Sequence, residues 1–289
     1  MSELPGNTEK WLQINQKVKE KWLIETFRLL RKNKIEPILI KGRAAAEYYP
    51  QKHQRRSLDI DICVAPENYQ KAFEILENNP TPYGIVDLHE GLRQHDTLDW
   101  QNLYDNAIPL KLDNYNIKVL RPEDHLRILS VHWLIDGGEY KERLYDIYWL
   151  IKNRPKHFDW KRCLDVVPQN RRRWIICVIG IAHKYLYLEI DDLPFADEAK
   201  HLPKWLTKTV EKQWRSNIRL APISFTSIKN PKSLIQQIKK RLPPNPITAT
   251  VLVEGSFDGK TRLFYQIENF FSRLKISTRK RRNILHGEK

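Results

Sequence analysis

The chain has 289 residues, 41% of them hydrophobic and 10% aromatic, which excludes a disordered polymer and leaves room for one large or two ordinary domains. Fifty Lys+Arg against 35 Asp+Glu give a formal charge of +15, so polyanions are the favoured partners: nucleic acid, nucleotides or anionic membrane. Cys63, Cys163 and Cys177 are far apart and form no C-x-x-C pair, which argues against a disulfide frame and a zinc site and fits a reducing cytoplasm.

In chain order, "MSELPGNTEK" is polar and lacks an apolar signal core. Residues 9–32 follow as an amphipathic opening helix, with Trp11, Ile14, Val18, Trp22, Leu29 and Leu30 near helical spacing. "IEPILIKG" then "RAAAEYY" reads as strand, tight turn at Gly42, and helix. "SLDIDICVA" alternates as a second strand and "ENYQKAFEILEN" as a second helix. "YGIVDLHEGL" alternates again, and "IPLKL" and "IKVL" flank "DNYN" as a hairpin. Residues 35–120 therefore form a small α/β unit of four or five strands.

After "RPEDH" the pattern becomes helical, over 122–136, 139–153, 159–167 and 170–189, with breaks at Gly137-Gly138, Pro155 and Pro168. Further helices are expected near 203–217, 231–241 and 261–275, and "RLPPNPITATVLVEGSFDGK" reads as a loop or ribbon. The longest apolar run, "WIICVIGIA" at 174–182, is too short to span a bilayer, so a cytoplasmic protein without stable membrane insertion is expected. The expected division is an α/β domain over 1–121 and a mostly helical region with a basic tail over 122–289.

The stretch "RRSLDIDICV" sets Asp59 and Asp61 on one face of a strand, with Leu58, Ile60 and Ile62 on the other. Two carboxylates at about 4 Å repel by roughly 4 kcal/mol at an effective dielectric of 20, so a positive group belongs between them. The candidates are a divalent metal or a basic neighbour such as Arg55 or Arg56. In "IVDLHEG", Asp87 shares a face with His89 on a strand placed to supply a third carboxylate. In "LIKGRAA", Lys41 and Gly42 occupy a strand-to-helix turn, where bare backbone and a lysine suit phosphate. On this reading Asp59→Asn or Asp61→Asn relieves repulsion and leaves the fold intact or stabilised.

Together, "LIKGRAAAEYYPQKHQRRSLDIDICV", "VDLHEGL" and "VLRPEDHLRILSVHW...RLYDIYWLI" resemble the polymerase-beta-like nucleotidyltransferase superfamily, and within it a bacterial family described as uncharacterised nucleotidyltransferases. The resemblance covers roughly residues 20–165. It implies an α+β fold, an N-terminal α/β nucleotidyltransferase unit with a mixed sheet followed by a mostly helical region. It implies that Asp59, Asp61 and Asp87 are catalytic and hold Mg²⁺ or Mn²⁺, with Asp87 as possible base for the acceptor hydroxyl. Lys41, Gly42, Arg56 and Ser57 would face the triphosphate of an NTP, with ATP expected. The turn is Lys-Gly-Arg rather than Gly followed by Gly or Ser, and the spacing from Gly42 to Asp59 is long for the superfamily.

The implied reaction moves an NMP to a hydroxyl of a small-molecule or protein acceptor and releases pyrophosphate. Two alternatives stand beside it: a tRNA-modifying enzyme of the toxin–antitoxin type, which "RRSLDID" also resembles, and a non-catalytic nucleotide- or RNA-binding module. "QNRRRW" at 169–174 and "SRLKISTRKRR" at 272–282 are basic clusters that suit a polyanion, the second without any acid. Attachment of that tail to a membrane surface lacks a strong apolar face in the sequence. His125 and His132 have no third ligand nearby, Arg143 and Asp146 read as an ion pair three residues apart, and Trp133, Trp149 and Trp160 read as core.

Overall fold

The computed structural model describes residues 6–52, 55, 59–79, 85–92, 95–218 and 231–273, the side chains of 6–9 and 231–233 excepted. It divides into two compact units, Met1–Leu129 with Asp146–Val167, and Ser130–Tyr145 with Pro168–Lys289.

The first unit opens with helix α1 (Gly6–Lys32). Its buried stripe is Leu23, Ile24, Phe27 and Leu30, whereas Trp11, Ile14 and Val18 are exposed. The amphipathic helix expected on sequence is therefore present, but only its C-terminal half uses that amphipathicity for the core. Strand β1 (Ile38–Leu39) leads through Gly42 into a four-residue helix, α2 (Arg43–Ala46). Gly42 has φ 60° and ψ −112°, a backbone conformation that a side chain disfavours. Strand β2 (Ile60–Val64), a 3₁₀ turn (Pro66–Asn68), α3 (Tyr69–Glu77) and β3 (Val86–Glu90) follow. A short helix, α4 (Trp100–Asp105), is capped by the Asp99 carboxylate, which accepts from Asn102 N–H at 2.7 Å. The hairpin β4 (Ile108–Leu112) and β5 (Tyr115–Val119) completes the sheet.

The strand order is β3-β2-β1-β5-β4. β1 is antiparallel to β2 and parallel to β5, β2 is parallel to β3, and β4 is antiparallel to β5, so the sheet is mixed, as expected. One core contains Ile60, Ile62 and Val64 with Leu23, Phe27 and Ala72 from α1 and α3. A second core gathers Ile38, Ile40, Cys63, Leu103, Leu120 and Ile128. β2 is thus buried along its whole length, and each fully buried Ile or Val contributes about 1.5–3 kcal/mol. An aspartate in such a strand costs much more than one on a solvated edge.

Residues 122–129 of α5 (Pro122–Ile135), 146–152 of α6 (Lys141–Lys152), and α7 (Trp160–Leu164) also belong to this unit. Arg127, 1% exposed, ties them in: it donates to Asp96 at 2.7 and 2.9 Å, to Asp124 at 2.8 Å and to the Arg162 carbonyl at 2.8 Å. Arg162 donates in turn to Asp124 at 2.7 and 2.9 Å. The division expected on sequence, a single cut after residue 121, differs from this interleaved pair because the linking charges are far apart in the chain.

His125 of α5 is buried. Burial pushes its pKa from 6.5 down to about 4, against a smaller opposing effect of Asp146. A folded pKa below the unfolded one means that this contribution to stability is complete above pH ~6.5 and is lost as pH falls through ~4. Urea unfolding is expected to show about 2 kcal/mol less stability at pH 5 than at pH 7 from this residue, and His125→Gln should flatten that slope. An unchanged slope in the variant would contradict the assignment.

The second unit is built around α8 (Gln169–Leu186), in which Trp174 to Ala182 are all buried. Gly180 lets the Ala199 carbonyl of α9 (Ala196–Lys200) approach so closely that a Cβ would lie 2.1 Å from it. Helices α10 (Lys204–Arg215), α11 (Pro231–Arg241) and α12 (Pro246–Leu252) follow, and residues 263–273 are helical. The expected loop or ribbon over 241–260 therefore contains a helix. Asn245 caps it by accepting from Ile247 and Thr248 N–H, and Pro246 sits at its first position. These end signals outweigh the β-branched run of "ITATVLV".

Candidate active site

β2 and β3 pair in parallel with Asp61 opposite Asp87 and Cys63 opposite His89. That register brings residues 26 apart in sequence onto adjacent strands, on the side of β2 away from Ile60 and Ile62. Asp61 is buried while the Asp87 side chain is 54% exposed. His89 Nε2 lies 3.3 Å from Asp87 Oδ2 and 3.6 Å from Asp61 Oδ1. Lys41, itself buried at the β1–α2 turn, places Nζ 2.6 Å from Asp61 Oδ1.

The positive groups beside the carboxylates are thus Lys41 and His89. Arg55, the described one of the two arginines considered on sequence, instead donates to Asp146 at 2.8 and 3.0 Å. Burial alone would raise the Asp61 pKa, but His89 and Lys41 outweigh it and lower the value to about 2. Burial alone would lower the His89 pKa, but Asp61 and Asp87 outweigh it and raise the value to about 8. His89, 3.3 Å away, holds Asp87 below the usual carboxylate range.

The fold therefore favours ionised Asp61. Its pKa is depressed, so the associated stability, about 2 kcal/mol, is present above pH ~4 and is lost as pH falls through ~2. Asp61→Asn, read on sequence as leaving the fold intact or stabilised by relief of repulsion, would also remove an attraction to buried Lys41.

Asp61, Asp87 and His89 each offer a ligand atom, and these atoms lie within 4.8 Å of one another. Asp61 Oδ1 and His89 Nε2 are buried and make no well-aligned hydrogen bond. Two carboxylates and an imidazole are a donor set that fits a divalent cation when His89 is neutral and Lys41 is drawn back from Asp61 Oδ1. Asp59 lies immediately before β2, is exposed, and is outside this cluster. It lines a neighbouring cavity of about 420 Å³ with Lys41, Gly42, Lys19, Gln16 and Leu12. Arg56 and Ser57 fall outside the described residues.

Sequence reading missed α1 as a wall of this cavity. The available signal was the set Asn15, Gln16, Lys19 and Glu20, polar residues at helical spacing that all line it. The basic cluster 171–173 proves to be engaged: Arg171 donates to Glu254, and Arg172 and Arg173 donate to Glu198. Arg143 pairs with Asp136, while Asp146 accepts from Tyr49 and Arg55, so Arg143 and Asp146 are held by different partners.

A mixed sheet that sets a carboxylate pair on adjacent strands beside a Lys-Gly turn agrees with the nucleotidyltransferase class that the sequence resembles. A family model described as an uncharacterised nucleotidyltransferase matches residues 9–186, more than half of the chain, and the chain belongs to that family. Among solved structures, an antigenic nucleotidyltransferase-like protein from Paracoccidioides brasiliensis is similar, with 13% identity and a TM-score of 0.39, over 63% of this chain and 91% of that one. No curated protein matches. Among the described residues, no helix is long and apolar enough to cross a membrane.

Proposed function

We propose that the protein transfers an NMP from an NTP, with ATP the first choice, to a hydroxyl of a small-molecule or protein acceptor. The observation that carries this reading is the Asp61–Asp87 register pair with His89 and Lys41, beside a cavity whose lining includes Lys41, Gly42 and Asp59. The acceptor oxygen bonds to the α-phosphorus, the α–β phosphoanhydride bond breaks, and pyrophosphate leaves. Asp87, the exposed carboxylate, takes the acceptor proton, while Lys41 offsets charge on the phosphates.

Asp61, Asp87 and His89 would hold a divalent ion, Mg²⁺ or Mn²⁺, with Asp59 placed for a further ligand on the cavity side. When bound, the ion supplies Lewis-acid stabilisation of phosphoryl charge. Lys41 and protonated His89 keep the carboxylates ionised and close together before the ion enters. Gly42 lets backbone approach the phosphates, although a four-residue α2 adds little helix dipole. Arg56 and Ser57 are proposed triphosphate contacts on resemblance alone. The acid partners of Arg171, Arg172 and Arg173 weaken the case for tRNA as acceptor.

The test is incubation with each α-³²P-labelled NTP and Mg²⁺, with cell extract or total tRNA, followed by separation of protein, RNA and small molecules. Label on protein or a small molecule supports the reading. Label on RNA alone would replace it with the tRNA-modifying one. Lys41→Ala should weaken NTP binding by about tenfold or more. Unchanged affinity would make the turn purely structural.

A further inference from the structure

Leu263, Phe264, Ile267, Phe270 and Phe271 of the helix over 263–273 are 55, 73, 45, 37 and 56% exposed. Their spacing of i, i+1, i+4, i+7 and i+8 places them on one side. The other side holds the helix in its unit: Asn269 is buried, and Gln266 donates to the Pro244 carbonyl. Polarity is thus reversed relative to an ordinary surface helix, with its apolar side toward solvent. A second row in the same unit, Ile235, Ile238 and Leu242 in and just after α11, is also exposed.

The sequence continues from this helix as "RLKISTRKRR", in which Arg273, Lys275, Arg279, Lys280, Arg281 and Arg282 meet no acid. We propose that the 263–273 helix, with the basic run that follows it, docks the protein on an anionic phospholipid bilayer. A single exposed apolar row rich in phenylalanine suits shallow insertion at the headgroup level. One such signal binds weakly, whereas an apolar row joined to a polybasic segment gives two, and the segment selects anionic lipid. The apolar face that the sequence reading lacked is therefore present. RNA phosphates would neutralise the basic run yet leave Leu263 and Ile267 in water, which favours lipid over nucleic acid. This inference does not depend on the transfer chemistry.

The test is co-sedimentation of the full chain with vesicles of phosphatidylcholine alone or mixed with phosphatidylglycerol, at low and high salt. Two variants accompany it, Phe264→Ser/Phe271→Ser and Arg279→Glu/Lys280→Glu/Arg281→Glu; both phenylalanines are exposed, so folding should be retained. The wild type is expected to bind the anionic vesicles, and each variant to lose roughly tenfold or more in partitioning. Binding that ignores the phenylalanine pair would overturn the proposal. So would absence of vesicle binding together with self-association that the pair abolishes, or with retained tRNA binding.

Discussion

Asp61→Asn is expected to lower NMP transfer by a factor of about 10³ or more while leaving a folded protein. Asp61 Oδ1 lies 2.6 Å from Lys41 Nζ and 3.6 Å from His89 Nε2, opposite Asp87, so on the proposed reading the amide forfeits a metal ligand and the charge that holds Lys41. A stability loss of about 2 kcal/mol should accompany the loss of turnover, read by denaturant unfolding at neutral pH. The two readouts separate the roles. Full turnover in the variant would remove Asp61 from the chemistry, and a gain in stability would mean that repulsion from Asp87 outweighs attraction to Lys41.

The second large effect is structural. Arg127→Met should destabilise the first unit by about 3–5 kcal/mol, because it leaves the buried Asp96 carboxylate without its cation. Asp124 keeps Arg162, and among the described residues Asp96 keeps the Thr97 and Leu98 N–H donors but no cation, so Asp96 bears most of the cost. Replacing Asp96 as well, as Arg127→Met/Asp96→Leu, should recover part of the loss, since no unpaired charge then remains at that position. Guanidinium unfolding of the two variants checks this, and a single-variant loss below about 1 kcal/mol would show that solvent reaches the cluster.

What was legible in the sequence follows from the range of the interactions. The β4–β5 hairpin and α8 announce themselves locally, through a two-residue turn at Asp113 and Asn114 and through Pro168 before a long apolar run. Lys41-Gly42 was readable for the same reason: a positive φ at Gly42 is a local demand. The pairing of Asp61 with Asp87 is a matter of register, and nothing within either strand states which strand lies beside it. Strand alternation therefore gave the residues of the cluster, with His89 on the face of Asp87, and the fold gave their register and the contact of Lys41 with Asp61.

Charge was the least legible property. Arg171, Arg172 and Arg173 looked like a polyanion site until Glu254 and Glu198, 83 and 25–26 residues away, were seen to engage them. Conversely, Trp11, Ile14 and Val18 read as part of the apolar face of α1 and are exposed, because only the second half of the helix packs on the sheet. A helical period says that one face is apolar, and it leaves open what covers that face.

The central claim is that Asp61, Asp87 and His89 form a divalent-cation centre. It is tested most directly by electron paramagnetic resonance titration of Mn²⁺ into the wild type and Asp87→Asn, with a non-hydrolysable ATP analogue present. Stoichiometric binding by the wild type, weakened about tenfold or more in the variant, is the predicted result. Equal Mn²⁺ affinity in the two proteins would contradict it.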